Sequence, residues 1–433
     1  MGFHLTCLLL AVLVGLVSVV ALQLPDVRPA PANRTYTSPG INTLIEQLSS
    51  LWANEELGTM FANCFPNTLD TTVMYHDGKA DSFIITGDIQ ALWLRDSTNQ
   101  VLPYVPYAAT DPALKILLQG LISRQARSIN IDSFANAFNY DGSGGGDSDA
   151  HQDDMRKPPM TPWIFEGKYE IDSISAFLKL SYYYHSSTKD ASFAGPPGPG
   201  TGKNSSSEWL AAAGRVVGTI AAMQDIGQDP SAAAQPYSFQ RQTTVATDTL
   251  EMTGLGPAGH RRIGLSRSLF RPSDDAVSLP YNTPGNAMAC VELKHLVSLL
   301  ENTDIIAQAG AEQAAVVRAQ ATQVAKEICG ALQDMRKEAM LRASFHAHLQ
   351  QQGGGGGGAA MNTAGALPYE TDGFGSALYM DDANIPSLLS LPLLGYMSRK
   401  DTVYVRTREL VLSGGNPFFF AGSAGAGVGG PHV

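Results

Sequence analysis

Apolar residues recur at helical spacing over several long stretches of this chain, and polar linkers separate those stretches. This pattern predicts helices over 42–61, 111–129, 169–187, 207–224, 286–300, 305–332, 382–396 and 402–412. The second is the clearest, with Leu114, Leu117, Leu118 and Leu121 on one face. Asp111 followed by Pro112 suits its start, a capping side chain before a proline at the first helical position. Strand signals are few and short, over 70–74, 82–86 and 243–246. Strands and helices do not alternate, so a doubly wound parallel sheet is excluded. The linkers 139–162 and 225–282 are too long to be simple connections, which marks them as functional or disordered. Paired helices with polar loops gathered at one end describe a mainly all-α fold, an (α/α)6 toroid with a few short strands.

The chain has 433 residues, 44% of them hydrophobic, enough for one large domain with a core. That domain is expected over 41–433, with a glycine-rich insertion at 346–360 that includes the run 353–358. The apolar run 5–22, with Val19, Val20 and Ala21 as a small-x-small cleavage site, reads as a signal peptide over 1–21. No lysine or arginine precedes it, so an uncleaved membrane anchor is the alternative. A proline-rich linker follows over 22–40. Sequons at Asn33 and Asn204 agree with a secreted or secretory-pathway setting. Acids outnumber bases 40 to 29, a net charge of -11, which argues against nucleic acid and suits a neutral ligand. Beyond Cys7 in the leader, Cys64, Cys290 and Cys329 allow one disulfide and one buried thiol, but neither a disulfide framework nor a zinc site.

The chemistry concentrates in three distant clusters. The segment 86–100 holds Asp88, Trp93, Arg95 and Asp96 in a setting more polar than a buried helix tolerates. Arg271, Ser273, Asp274 and Asp275 form the second; 369–375, running on to Asp381, Asp382 and Asn384, forms the third. Aromatic faces stack on a pyranose while acids and arginines grip its hydroxyls, so the clusters suggest one sugar pocket built from several loops. Glycosidic cleavage needs two carboxyl groups. Asp172, among Trp163, Ile164, Phe165, Tyr169 and Ile171, is a candidate acid whose burial would raise its pKa. Its plain alternative is a first-turn aspartate on a helix dipole, which acts in the opposite direction. Glu370, in a glycine- and proline-bounded loop, is the second candidate, with a solvated loop acid as its alternative. Asp382 also reads as a helix N-cap, 271–275 as a salt-bridged turn, and His151 as a polar loop residue. Serine-hydrolase elbows, zincin helices and phosphate loops are absent.

Four ordered motifs resemble glycoside hydrolase family 125: 86–97, 168–173, 270–275 and 380–388. The resemblance implies an (α/α)6 barrel, no cofactor, no metal, and an inverting exo-mannosidase acting on non-reducing-end α-1,6-linked mannose of mannan or N-glycans. It makes Asp172 the general acid and Glu370 the general base. Asp88, Trp93, Arg95, Asp96, Arg271, Ser273, Asp274, Asp275, Asp382 and Asn384 would hold the mannose. His432 joins them, because the family carries a Gly-Pro-His segment near its pocket with further helical chain beyond it. The sequence stops at Val433, so the last helices of the barrel are expected to be missing. A non-catalytic mannan-binding remnant, or a toroid hydrolase for another hexose, are the competing expectations.

Overall fold

The computed structural model describes residues 24–78, 81–143, 151–195, 207–224, 235–351 and 363–431. The leader, the Asn204 sequon, the glycine run and His432 lie outside the described residues. The chain divides into two compact units, Met1–Thr72 and Val73–Val433. The first holds helices α1 (Pro39–Ser49), α2 (Glu55–Cys64) and α3 (Asn67–Thr71). The single helix expected over 42–61 is thus two. Asn54 adopts an extended backbone and its side chain accepts from the amides of Glu56 and Leu57, starting a new helix where the old one would continue. Cys64 is free and exposed, not buried as expected.

The second unit carries the long helices: α4 (Leu94–Val101), α5 (Pro112–Ile131), α6 (Ile171–Thr188), α7 (Glu208–Gln224), α8 (Thr283–Leu299), α9 (Thr303–Ala309), α10 (Ala311–Gln351) and α11 (Thr402–Val411). The cap of α5 is as expected, Asp111 accepting from the Leu114 amide at 3.0 Å. Its predicted leucine face is fully buried, and α5 packs on α7. Helix α6 is buried on nearly every side and lies against both α4 and α8. Its serines avoid unpaired hydroxyls by bonding back one turn, Ser175 to Ile171 O at 2.7 Å and Ser181 to Phe177 O at 2.8 Å. The disulfide Cys290–Cys329 ties α8 to α10.

Five further sequence expectations fail here: residues 70–71 end helix α3, so the strand expected over 70–74 starts only at Val73, and Gly310, at a positive φ of 98°, breaks 305–332 into α9 and α10. Residues 382–396 form turns, not a helix: Pro386 and Pro392 remove amide donors, and Gly395 takes a positive φ of 78°. Residues 243–246 form no strand; the nearby strand is Ser238–Gln240. The stretch 346–351 continues helix α10 and is not yet an insertion loop.

Short strands do the positioning; besides the pairs β1 (Val73–His76) with β2 (Ser82–Ile84) and β5 (Met155–Lys157) with β7 (Ser238–Gln240), two small sheets matter most. β3 (Leu92–Trp93), β4 (Ala137–Phe138) and β6 (Ile164–Glu166) make one antiparallel sheet, with β4 central. β8 (Tyr281–Asn282), β9 (Glu370–Thr371) and β10 (Ala377–Leu378) make another, with β9 central. β3 runs directly into α4 and β8 into α8, while Ile171 starts α6 five residues after β6. Strand ends therefore fix the N-terminal ends of three helices. No helix among the described residues is long and apolar enough to cross a membrane.

Candidate active site

The segment 86–100 contradicts the expectation that its charges exclude a buried helix. Helix α4 begins at Leu94, and Arg95 in its first turn is 6% exposed. A buried guanidinium needs partners on several sides, and here acids from three elements supply them. One terminal nitrogen, Nη1, donates to Glu170 at 2.6 Å and to Asp172 at 3.3 Å. The other, Nη2, reaches Asp274 and Asp96, each at 3.2 Å. Burial disfavours the Arg95 charge, but Glu170, Asp96, Asp274 and Asp172 together more than offset it and hold the guanidinium ionised.

Asp172 sits in the first turn of α6, essentially inaccessible. Its Oδ1 has no hydrogen-bond partner. Burial pushes its carboxyl up to about 6, against the pull of Arg95 and its own backbone amide. The two opposed effects weighed from the sequence are thus both present, and desolvation wins. Glu170, the residue before α6, is equally buried. Its side chain does not cap the helix, because its oxygens are taken by Arg95, by Ser173 Oγ at 2.6 Å and by Asn136 Nδ2 at 3.0 Å. Burial raises its pKa strongly. In Asp274 burial acts the same way, but Arg95, a hydrogen bond from Glu170 and Lys168 override it and lower the pKa. Glu170 is therefore the member of that pair that keeps a proton.

The turn 271–275 is tight, with Asp274 N donating to Arg271 O at 2.9 Å and Arg271 N to Asp275 O at 2.8 Å. Asp274 takes a left-handed φ of 64°, a conformation that aspartate adopts more readily than most residues. The turn is not closed by its own charges: Asp274 points to Arg95, and Arg271 Nε donates to Glu370 Oε1 at 2.5 Å. Ser273 Oγ donates to Asp275 Oδ2 at 2.8 Å, inside the turn. Glu370 lies on β9 rather than in a loop, with no exposure. Its Oε2 accepts from the amides of Ser278 (2.9 Å) and Leu279 (3.0 Å). Every partner of Glu370 is a donor, as a carboxylate requires. The run Asp172–Arg95–Asp274–Arg271–Glu370 thus joins acids far apart in sequence through one short turn.

The remaining expected residues divide. Asp382 is buried; its Oδ1 accepts from the Asn384 amide (2.7 Å) and side chain (2.9 Å), and its Oδ2 has no partner. The chain 429–430 passes beside it, Ala383 N donating to Gly429 O at 3.0 Å. Asp381 has a carboxyl pushed up to about 7 by burial, but both its oxygens accept backbone amides, from Leu388 and Leu389. It anchors the turns and is not a candidate acid. Trp93 is packed against Phe165 at 5.3 Å between ring centres and is only 5% exposed, so it supports the wall and offers no open stacking face. Asp88 stands apart: it is exposed and bonds Thr86 in its own loop. Among the described residues no group of three or more His, Cys, Asp or Glu side chains is placed to hold a metal ion.

Sequence reading missed Glu170 and Asn136. Asn136, fully buried before β4, donates to Glu166 (3.0 Å) as well as Glu170. It links the Arg95 cluster to a second charged layer in which Arg241 pairs Asp154 (2.7 Å), Glu166 (3.0 Å) and Asp248 (3.0 Å), and Lys168 pairs Asp248 (2.6 Å). Glu170 lies within a quoted motif, two residues from Asp172, which was the available signal; nothing distinguishes Asn136 in sequence.

The family model of metal-independent α-mannosidases, glycoside hydrolase family 125, matches residues 54–433. The chain belongs to glycoside hydrolase family 125. The meiotically up-regulated gene 157 protein of Schizosaccharomyces pombe is 38% identical over 424 residues, covering 95% of this chain and 75% of that protein. A solved metal-independent α-mannosidase of Streptococcus pneumoniae, in a non-productive complex with α-1,6-mannobiose, superposes with a TM-score of 0.73 at 29% identity, covering 92% of this chain and 82% of that one. That likeness bears out the mainly helical α/α toroid. In this family 125 chain the four motifs that carried the resemblance supply the Arg95 and Arg271 clusters and the buried turns at Asp382.

Proposed function

We propose that this family 125 chain is an exo-acting, inverting α-1,6-mannosidase that removes non-reducing-end mannose from mannan or N-glycan chains. The observation that carries the reading is the contrast between its two acids. Asp172 is buried with one bare oxygen and a raised pKa, as a proton donor to a leaving oxygen requires. Glu370 is held by Arg271 and two amides, which fix the orientation of its carboxyl. In such a reaction Asp172 protonates the glycosidic oxygen while Glu370 takes a proton from water attacking the opposite face of the anomeric carbon. The α-linkage then yields β-mannose. Arg95, Arg271, Asp274 and Asp382 supply charge and acceptors for the sugar hydroxyls. The metal-independent α-mannosidase bound to α-1,6-mannobiose supports the linkage.

The test is mannose release from α-1,6-mannobiose, followed by NMR within the first minutes. β-mannose as the first product is expected; α-mannose first, or no release, refutes the proposal. The leader-like run 5–22 supports a secretory or extracellular setting. Sequencing the N-terminus of protein recovered from medium checks this, and retention of residues 1–21 in a cytosolic pool refutes it.

A further inference from the structure

A cavity of about 560 Å³ lies in the large unit, beside the sheet of β3, β4 and β6. Phe138, Asn139, Tyr140 and Trp163 line it, with Asn130 and Arg127 of α5. Asn136 touches Glu170 in the active site, and Asn139 is three residues further along the same extended run, roughly 10 Å away at the strand rise. Glu166 and Trp163 are related in the same way on β6 and the residue before it.

The cavity has the make-up of a sugar site. Trp163 and Tyr140 are each 41% exposed, unlike the buried Trp93. Both rings are held in place before any ligand arrives. Gly142 lies so close to the Trp163 indole that a Cβ there would fall 2.5 Å from its Nε1, so the backbone holds the ring, which stays 41% exposed. Asn139 fastens the two segments, its amide donating to Trp163 O at 3.0 Å and its side chain to Pro162 O at 2.9 Å. Tyr140 lies under the Arg124 guanidinium, 5.1 Å from its ring centre, and Arg124 also donates to the Tyr140 carbonyl at 2.7 Å. Arg124 and Arg127 both pair with Asp81, at 2.5 and 2.7 Å. Asp81 answers one of these two charges, and with Asp141 and Glu208 in the lining three acids stand against two arginines, which disfavours a phosphate. A neutral polyol fits: fixed aromatic faces, amide and carboxylate acceptors, and a volume within the range of small-ligand sites.

We propose that this cavity is a second carbohydrate site, which takes mannosyl residues of the glycan remote from the bond that is cleaved. The inference rests on the mannosidase reading, and its test separates the two. Asp172→Asn protein is titrated calorimetrically with α-1,6-mannobiose and with α-1,6-mannotetraose. The longer chain binds about tenfold tighter, the equivalent of one aromatic contact. Trp163→Ala in the same background removes that advantage and leaves mannobiose binding unchanged, while Trp163→Phe keeps part of it with the fold undisturbed. Equal affinity for the two sugars, an advantage that survives Trp163→Ala, or a parallel loss for both overturns the second site. Absence of mannobiose binding together with absence of mannose release by the unmodified enzyme overturns the mannosidase reading itself.

Discussion

Replacing Asp172 by Asn should abolish turnover and yet stabilise the protein, with the stabilisation growing as pH rises. Asp172 is 1% exposed and its carboxyl is moved from 3.8 to about 6, chiefly by burial. That displacement is worth about 3 kcal/mol. The sign follows from linkage. A carboxyl whose folded pKa is raised contributes stability in full below its unfolded pKa, and that contribution is lost as pH climbs through the folded value near 6. Between pH 4.5 and 7.5 the native chain should therefore lose about 2 kcal/mol that the Asn variant, which cannot ionise, keeps. For a unit the size of Val73–Val433 this is a melting difference of about 3 °C. Function runs the other way. At pH 7 about one Asp172 in ten still holds its proton, against fewer than about one in a thousand for an ordinary aspartate. The basic limb of the kcat/KM profile should fall with unit slope near pH 6 in the native enzyme. The assay is differential scanning calorimetry of both proteins at the two pH values, beside the pH–rate profile. A melting difference that stays constant with pH, or a basic limb well above pH 7, would refute the claim that burial tunes this group.

Glu370→Gln should lower kcat by about 10²–10⁴. It also leaves the buried Arg271 without its counter-charge, so the melting temperature should fall, the reverse of Asp172→Asn; equal stability would show that the pair is not buried as described. Glu170→Gln mimics the protonated Glu170, so the basic limb should stay where it is; a limb moved to lower pH would show that Glu170 is ionised in the native enzyme and competes for Arg95. Prolonged dialysis against EDTA should leave mannose release unchanged, and recovery by added divalent metal after a loss would contradict the family description.

The sequence was most legible where one local rule dominated. The leucine face and the Asp111–Pro112 start predict α5 to within two residues, because cap and periodicity agree. It was misread where tertiary partners overrode local preference. Arg95 looks hostile to a buried helix until Glu170, Asp172 and Asp274 arrive from elsewhere in the chain to neutralise it. Residues 382–396 look helical by apolar spacing, but Asp381 spends its carboxylate on the Leu388 and Leu389 amides and fixes a set of turns. Asp172 and Glu370 could be nominated from their neighbours, yet their contrast could not be read. It depends on which oxygens are bonded, and only the folded chain decides that. Asn136 has no sequence signal at all, since its role consists of touching three acids at once.

The protonation of Asp172 follows from a mismatch in number. Arg95 is within ion-pair distance of four carboxyls, Asp96, Glu170, Asp172 and Asp274, and a single guanidinium cannot stabilise four negative charges in a buried setting. Some of them must keep protons. Asp274, less buried than Glu170 and Asp172, gains Lys168 and a hydrogen bond from Glu170 beside Arg95, so it ionises before them. Glu170 keeps a proton because it is buried, and the charge of Asp274 beside it adds to that. Asp172 receives the weakest share of the arginine, a single 3.3 Å contact on one oxygen, and nothing on the other. Burial therefore leaves its pKa near 6, because so weak a share of the arginine does not pull it back down. Adding a second cation to the cluster, as in Asn136→Lys, should therefore ionise Asp172 and cost activity at neutral pH even though no group that transfers a proton has changed. Full activity in such a variant, with its fold verified by circular dichroism, would show that the count of charges does not set the acid.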